Sequence, residues 1–187
     1  TKPDTFAAIP APSPVATQVI ERVRAAGMDC GFALVTGDPD AALSIPLATA
    51  TRLNIINVLT DGTATARLRD RLASGTAFNG SRIHAVTVPQ LDRLPFARHL
   101  ANAVIVAGSS KNLSARELYR VLRPCGGTLI APGLNSAETQ TLLAQCGASV
   151  DEIHKEENAV IRGRLEGALD WDRAVPSDRL AGGPMRV

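Results

Sequence analysis

Short apolar runs alternate with longer mixed stretches along the chain, and turn residues separate them. Ser13 followed by Pro14 predicts a helix start, an N-cap hydroxyl with proline at the first helical position, running to Gly27. Phe32–Thr36 is a short apolar run that ends at Gly37 and predicts a buried strand. Asp38-Pro39 opens the next helix, with Asp38 as its cap, to about Ala50, with a kink expected at Pro46. Asn54–Leu59, rich in Ile and Val, predicts a second strand. Asp61 or Thr63 caps a third helix that ends near Ala73, and Gly75–Ser81 is a turn. Arg82–Val88 predicts a third strand in partial alternation, and a loop around Leu94-Pro95-Phe96 follows.

The second half repeats the rhythm. Ala103–Ala107 is a fourth apolar strand. Ser114-x-x-Glu117 is a capping box that starts a helix ending at Arg123. Thr128–Ala131 predicts a fifth strand, and Ser136–Cys146 a helix closed by Gly147. Ala148–Lys155 and Ala159–Arg164 predict a hairpin turned at Glu156-Glu157-Asn158. Strands that alternate with helices imply parallel βαβ units with right-handed crossovers, and the terminal hairpin adds an antiparallel strand. Residues 1–14 hold four of the twelve prolines and read as a linker, residues 15–165 as one α/β domain, and residues 166–187 as an aperiodic tail.

Composition narrows the function classes. The apolar fraction is 45%, the charged fraction 20% and the net charge +2, so nothing marks a nucleic-acid surface. No apolar run is long enough for a transmembrane helix, and residues 1–14 lack the pattern of a signal peptide. The chain opens on Thr rather than Met, as a piece of a longer protein would. Cys30, Cys125 and Cys146 are isolated and lack ligand spacing, so no zinc site is expected and they read as buried or half-buried thiols. His84, His99 and His154 likewise have no partner at ligand spacing.

Glu117-Leu118-Tyr119-Arg120-Val121-Leu122-Arg123-Pro124-Cys125-Gly126-Gly127-Thr128-Leu129 resembles E-x-x-R-V-L-K-P-G-G-x-L, the helix–turn–strand unit of class I S-adenosylmethionine-dependent methyltransferases. Leu94-Pro95-Phe96 matches that family's L-P-F. The resemblance spans about residues 15–165 and implies a three-layer, Rossmann-like sheet of seven strands in the order 3-2-1-4-5-7-6, with strand 7 antiparallel. It also implies S-adenosylmethionine as cofactor, held beyond the carboxyl ends of the strands.

The cofactor positions depart from the family. Its G-x-G-x-G loop corresponds to Gly37-Asp38-Pro39-Asp40-Ala41, where Pro39 removes a donor and Ala41 adds a methyl group. The acidic residue that takes the ribose hydroxyls corresponds to Leu59, with Asp61 two residues on as an acceptor or as a helix cap. The residue that takes adenine corresponds to Gln90, able to bond a base edge or to lie on the surface. Gly37, Asp38, Asp40, Leu59, Asp61 and Gln90 are thus the candidate cofactor-binding residues, with no catalytic residue assigned. Lys111, in the loop after the fourth strand, reads as solvated.

Val160-Ile161-Arg162-Gly163-Arg164-Leu165-Glu166-Gly167-Ala168-Leu169-Asp170-Trp171 is similar to the junction between a methyltransferase-like domain and a pyrroloquinoline-quinone-type β-propeller in large bacterial proteins. That resemblance implies an adjacent propeller as partner and a parent protein at the cell envelope. The expected function is a methyltransferase-like module with a degenerate pocket and weak or absent cofactor binding, non-catalytic within a quinoprotein-like chain. The alternative is an active methyltransferase with a divergent pocket. A short-chain oxidoreductase-like nucleotide binder is a third reading, in which Tyr119 would need a lysine where Arg123 stands.

Overall fold

The computed structural model describes residues 11–163, apart from residue 77 and the stretches 109–112, 133–136, 138–140, 142–143, 147–152 and 157–158. The linker to residue 10, Lys111, the Gly147 cap and the tail with its propeller-like junction from residue 164 lie outside the described residues. Helix α1 (Pro14–Ala25) begins as its sequence dictates: the Ser13 hydroxyl accepts from the Ala16 amide at 3.2 Å. Gly27 turns the chain at φ +67° into β1 (Cys30–Thr36). There follow α2 (Ser44–Ala50), β2 (Arg52–Leu59), α3 (Gly62–Gly75), β3 (Ile83–Thr87), β4 (Ala103–Val106), α4 (Ala115–Val121), β5 (Thr128–Ile130), β6 (Ile153–Glu156) and β7 (Ala159–Arg162). Among the intervening positions, Ala137, Thr141, Ala144 and Gln145 are also helical.

The strands form one sheet in the order β3-β2-β1-β4-β5-β7-β6. All run the same way except β7, which is antiparallel to both β5 and β6. Alternate residues of each strand serve opposite faces. Ala33 and Val35 of β1 pack with Val19 and Val23 of α1, Leu47 of α2 and Leu68 and Leu72 of α3. Leu34, between them, packs on the other side with Val104, Leu118 of α4, Leu122 and Leu94. The sheet is thereby buried on both faces, which is why its central strands read as nearly continuous apolar runs. At the β3 edge, Arg69 of α3 places Nε and Nη2 on the Ala85 carbonyl at 3.0 and 2.7 Å, and the Thr87 and Thr65 hydroxyls bond at 2.9 Å.

Three local expectations are corrected. The second helix begins at Ser44 rather than at Asp38-Pro39, because Asp38 reaches forward to cap it; Pro46 therefore lies in the first turn, where no kink is needed. Only half of the capping box forms. The Ser114 hydroxyl accepts from the Glu117 amide at 3.3 Å, but the Glu117 carboxylate turns to the Leu94 amide at 2.9 Å. It also meets Arg120 in a two-pronged pair, Nε to Oε1 and Nη2 to Oε2, both at 2.8 Å. Arg120 in turn donates to the carbonyls of Leu94 and Phe96, each at 2.9 Å. The Glu-x-x-Arg spacing thus clamps the Leu94-Pro95-Phe96 loop. The Arg120 hydrogen bond holds the Glu117 carboxyl below its ordinary range, against the burial that pushes it up.

The Pro-Cys-Gly-Gly turn has a geometric reason for its second glycine: a Cβ on Gly127 would fall 2.1 Å from the Arg123 carbonyl oxygen. Its amides carry β7, with Cys125 N on Gly163 O at 3.0 Å and Gly126 N on Arg162 O at 2.8 Å. Arg162 is buried beneath this turn. Its Nη1 donates to the carbonyls of Leu122 at 2.6 Å and Tyr119 at 3.0 Å, and its guanidinium lies 4.1 Å above the Tyr119 ring.

The third correction concerns the thiols. Cys30 is exposed rather than half-buried, Cys125 is intermediate and Cys146 is buried. Burial pushes the Cys146 thiol from 9.0 up to about 11. The native state then holds a proton that the unfolded chain has lost, so this group's contribution to stability falls as pH rises from 9 towards 11. At pH 8 native Cys146 carries about a hundredfold less thiolate than an unperturbed thiol. Iodoacetamide labelling followed by mass spectrometry should modify Cys30 first and Cys146 only on unfolding. Equal labelling of the two at pH 8 would refute the burial argument.

Candidate functional site

β1, β2 and β4 end side by side, with Thr36 next to both Val58 and Val106. Beyond that line the order of connections reverses, since β1 leads through α2 to β2 on one side while β4 lies on the other. In a doubly wound sheet such a switch point opens a crevice. Here Gly37 takes φ +76°, and a Cβ on it would lie 2.9 Å from backbone atoms of Gly108, so the loops after β1 and β4 touch backbone to backbone. Above this contact lies a cleft of about 900 Å³. Its walls come from Gly37 and Pro39 after β1, Leu59 and Asp61 at the end of β2, and Gln90, Leu91 and Asp92 after β3, together with Leu113.

Of the six sequence candidates, Gly37, Leu59, Asp61 and Gln90 border this cleft, whereas Asp38 and Asp40 are not among its lining residues. Asp38 is only 4% exposed. Its Oδ2 accepts from the Ser44 amide and the Ser44 hydroxyl, each at 2.8 Å, and from the Leu43 amide at 3.2 Å. Asn57 of β2 completes the knot, donating Nδ2 to the Asp38 carbonyl at 2.8 Å and to Ser44 Oγ at 2.9 Å. The amides that open α2 are thus satisfied by an anion of the chain itself. Asp40 points to the surface and pairs with Arg71 at 3.2 Å, both side chains mostly exposed. Ala41 does not narrow the loop as its added methyl suggested. It adopts φ +52° and is 1% exposed within the core under the sheet.

Leu59 is 6% exposed and brings no acceptor to the cleft. Asp61 is both a cap and a lining residue. Its Oδ1 accepts from the Thr63 amide at 2.8 Å, and Oδ2 has no hydrogen-bond partner among the described residues. Gln90 and Asp92 are exposed, line the cleft and have no hydrogen-bond partner among the described residues. Asp92 was not singled out from the sequence. Its only signal is a position two residues beyond Gln90, in a loop whose length no motif fixes. The described lining holds two carboxylates and no lysine or arginine.

The histidines lie elsewhere. His84 is exposed on β3, and His154 sits on β6 opposite Ile161. His99, at φ +62°, has Nδ1 3.3 Å from Arg162 Nη1 and 3.4 Å from the Leu122 carbonyl, a structural contact. Tyr119, the residue on which an oxidoreductase reading depends, is buried under Arg162 and is not a lining residue of the cleft. No group of three metal-ligating side chains occurs among the described residues, and no helix there is long and apolar enough to cross a membrane.

No protein-family model and no curated protein matches the chain. Solved structures do. A protein of Methanococcus maripaludis, provisionally assigned as an S-adenosyl-L-methionine-dependent methyltransferase, superposes with a TM-score of 0.65 at 18% identity, over 84% of this chain and 88% of that one. A SAM-dependent methyltransferase from Aquifex aeolicus gives 0.59 at 12% identity, over 81% and 93%. The glycopeptide N-methyltransferase MtfA, complexed with sinefungin, gives 0.51 at 19% identity, over 66% and 59%. At these identities the likeness establishes the fold, a Rossmann-like, mostly parallel sheet of the S-adenosylmethionine-dependent methyltransferase type.

Proposed function

We propose that this domain is a non-catalytic relative of the S-adenosylmethionine-dependent methyltransferases, a module that keeps the fold and the crevice but not the grip on the whole cofactor. The Asp38 carboxylate carries this reading. It holds the amides at the head of α2, and Asp38, Leu43 and Ser44 all lie outside the cleft lining, so this helix start, bound by the chain's own anion, offers a ligand in the cleft no donors. The neighbouring positions agree with it. Pro39 lines the cleft without an N–H, and Leu59 offers the ribose no acceptor. The cofactor therefore does not fit the residues present, and no transfer step is derived through it. Such a module acts by packing against a partner. The residues that resemble a propeller junction favour a β-propeller of the same polypeptide, and the cell envelope as the parent protein's place.

Calorimetric titration of the chain with S-adenosylmethionine and S-adenosylhomocysteine tests the proposal. Two missing charged hydrogen bonds, at about 1.5–3 kcal/mol each, move a micromolar site towards the millimolar range. A dissociation constant near or below about ten micromolar would restore the alternative, an active enzyme with a divergent pocket. That alternative draws its support from the open cleft and from the unpartnered Oδ2 of Asp61.

A further inference from the structure

We infer that the open side of the sheet over β1, β2 and β3 is the seat of this chain's own segment 164–172, with Leu169 and Trp171 lying on Phe32 and Ile56. The two sides of these strands are covered unequally. On one, Ala33, Leu53, Ile55, Ile83 and Ala85 are all buried in the core shared with α1, α2 and α3. On the other, alternate positions stay open: Phe32 is 41% exposed, His84 is exposed, and Asn54 and Ile56 are half-buried. Among the described residues, the exposed large apolar side chains are Phe32 and Val15. The connection from β3 to β4, residues 88–102, contains no helix. Leu118 of α4 and Leu122 pack with Leu34 and Val104, and the outer strands are left short of cover.

Chain path and charge name the occupant. β7 ends at Arg162, and the Gly163 carbonyl accepts from the Cys125 amide at 3.0 Å, on the rim where β4 and β5 begin. From β7 to β1 is three strand spacings, about 14 Å, and to β2 about 19 Å. Leu169 and Trp171 follow Gly163 by six and eight residues, a reach of up to about 20 and 26 Å. The segment before α1 is poorly placed for this side, since α1 packs on the covered one. Residues 166–172 carry three carboxylates, Glu166, Asp170 and Asp172, and no basic side chain, around Leu169 and Trp171. Arg52 borders the open side, its side chain 78% exposed and reached by Asp29 only at 3.9 Å. The alternate positions of this side, from Cys30 to Val86, include no Asp or Glu. An acidic segment with two large apolar side chains thus meets an apolar surface with a cation at its border. This seat lies towards the ends of the strands away from the cleft, so it stands whatever the cleft binds.

Trp171 is the one tryptophan of the chain, so its fluorescence reports on the segment directly. Acrylamide should quench it at least about threefold less in the native chain than in urea, because a docked indole is withdrawn from water. Phe32→Asp should raise the native quenching about twofold or more and leave the far-UV circular dichroism unchanged, since the replaced side chain is exposed. Arg52→Glu should raise it at low salt, and less at about 0.5 M. Val15→Asp, at the exposed apolar residue on α1, should change nothing. Native quenching as strong as in urea overturns the inference. So does shielding that Phe32→Asp leaves intact, which puts the indole elsewhere. Shielding that disappears on dilution from about 100 to 1 µM makes a second copy the occupant and overturns it too, since a linker this short holds the segment at an effective concentration of about a millimolar.

Discussion

Asp38→Ala should destabilise the domain by about 3 kcal/mol or more, read as a fall in the urea midpoint at unchanged slope. The carboxylate accepts from two backbone amides and a hydroxyl in a site where Ser44 and Asn57 are fully buried. Truncation leaves all three donors without a partner away from water, and the cost of orphaned buried groups exceeds the net worth of the bonds. Asp38→Asn keeps one acceptor oxygen and should cost about half as much. The contrast separates a structural anion from a ligand-binding one. An Asp38→Ala protein that kept its midpoint within about 0.5 kcal/mol would show that solvent already reaches this knot, and would remove the main support for the non-catalytic reading.

Arg162→Met should have an effect of similar size, about 3 kcal/mol, by a different route. Methionine keeps much of the apolar stem against Tyr119 but cannot donate to the Tyr119 and Leu122 carbonyls. Those carbonyls belong to the end of α4, where helical C=O groups have no intrahelical partner, and Arg162 donates to both. Lysine restores the charge but not the stacked, forked geometry, so Arg162→Lys should recover only part of the loss. Thermal unfolding by circular dichroism reads both variants. Full recovery by lysine would mean that charge alone, not the planar cation over the ring, holds the hairpin.

Much of this architecture can be read from residue spacing because each signal is local. The Ser13-Pro14 start, the apolar runs before Gly37 and after Asn102, and the Pro-Cys-Gly-Gly turn each fix a short piece of backbone, and alternation of strand and helix then leaves few topologies. Several residues escape such local reading because they act across distance. Asp38 looks like a cap for the residue after it, and instead satisfies amides five and six positions on. Glu117 fits a capping box and is drawn away by a loop more than twenty residues earlier in the chain. Arg162 stands out in the sequence only within the propeller-like string, and only the return of β7 beside β5 lays it over Tyr119. The cleft divides the same way. Gly37 and Leu59 follow from counting along strands, whereas Asp92 becomes a lining residue through the path of a loop that no local rule specifies.

The guanidinium of Arg69 on the Ala85 carbonyl bears on how the molecule behaves in a crowded solution. A border strand normally shows a row of free backbone groups to any passing strand, which is how soluble domains begin to polymerise. On β3 one carbonyl of that row is taken twice by a charged side chain from the covering helix, and the Thr65–Thr87 pair stands beside it. A foreign strand would have to displace a cation to dock there. This rim is a guarded one, and aggregation by strand addition would have to find another way in.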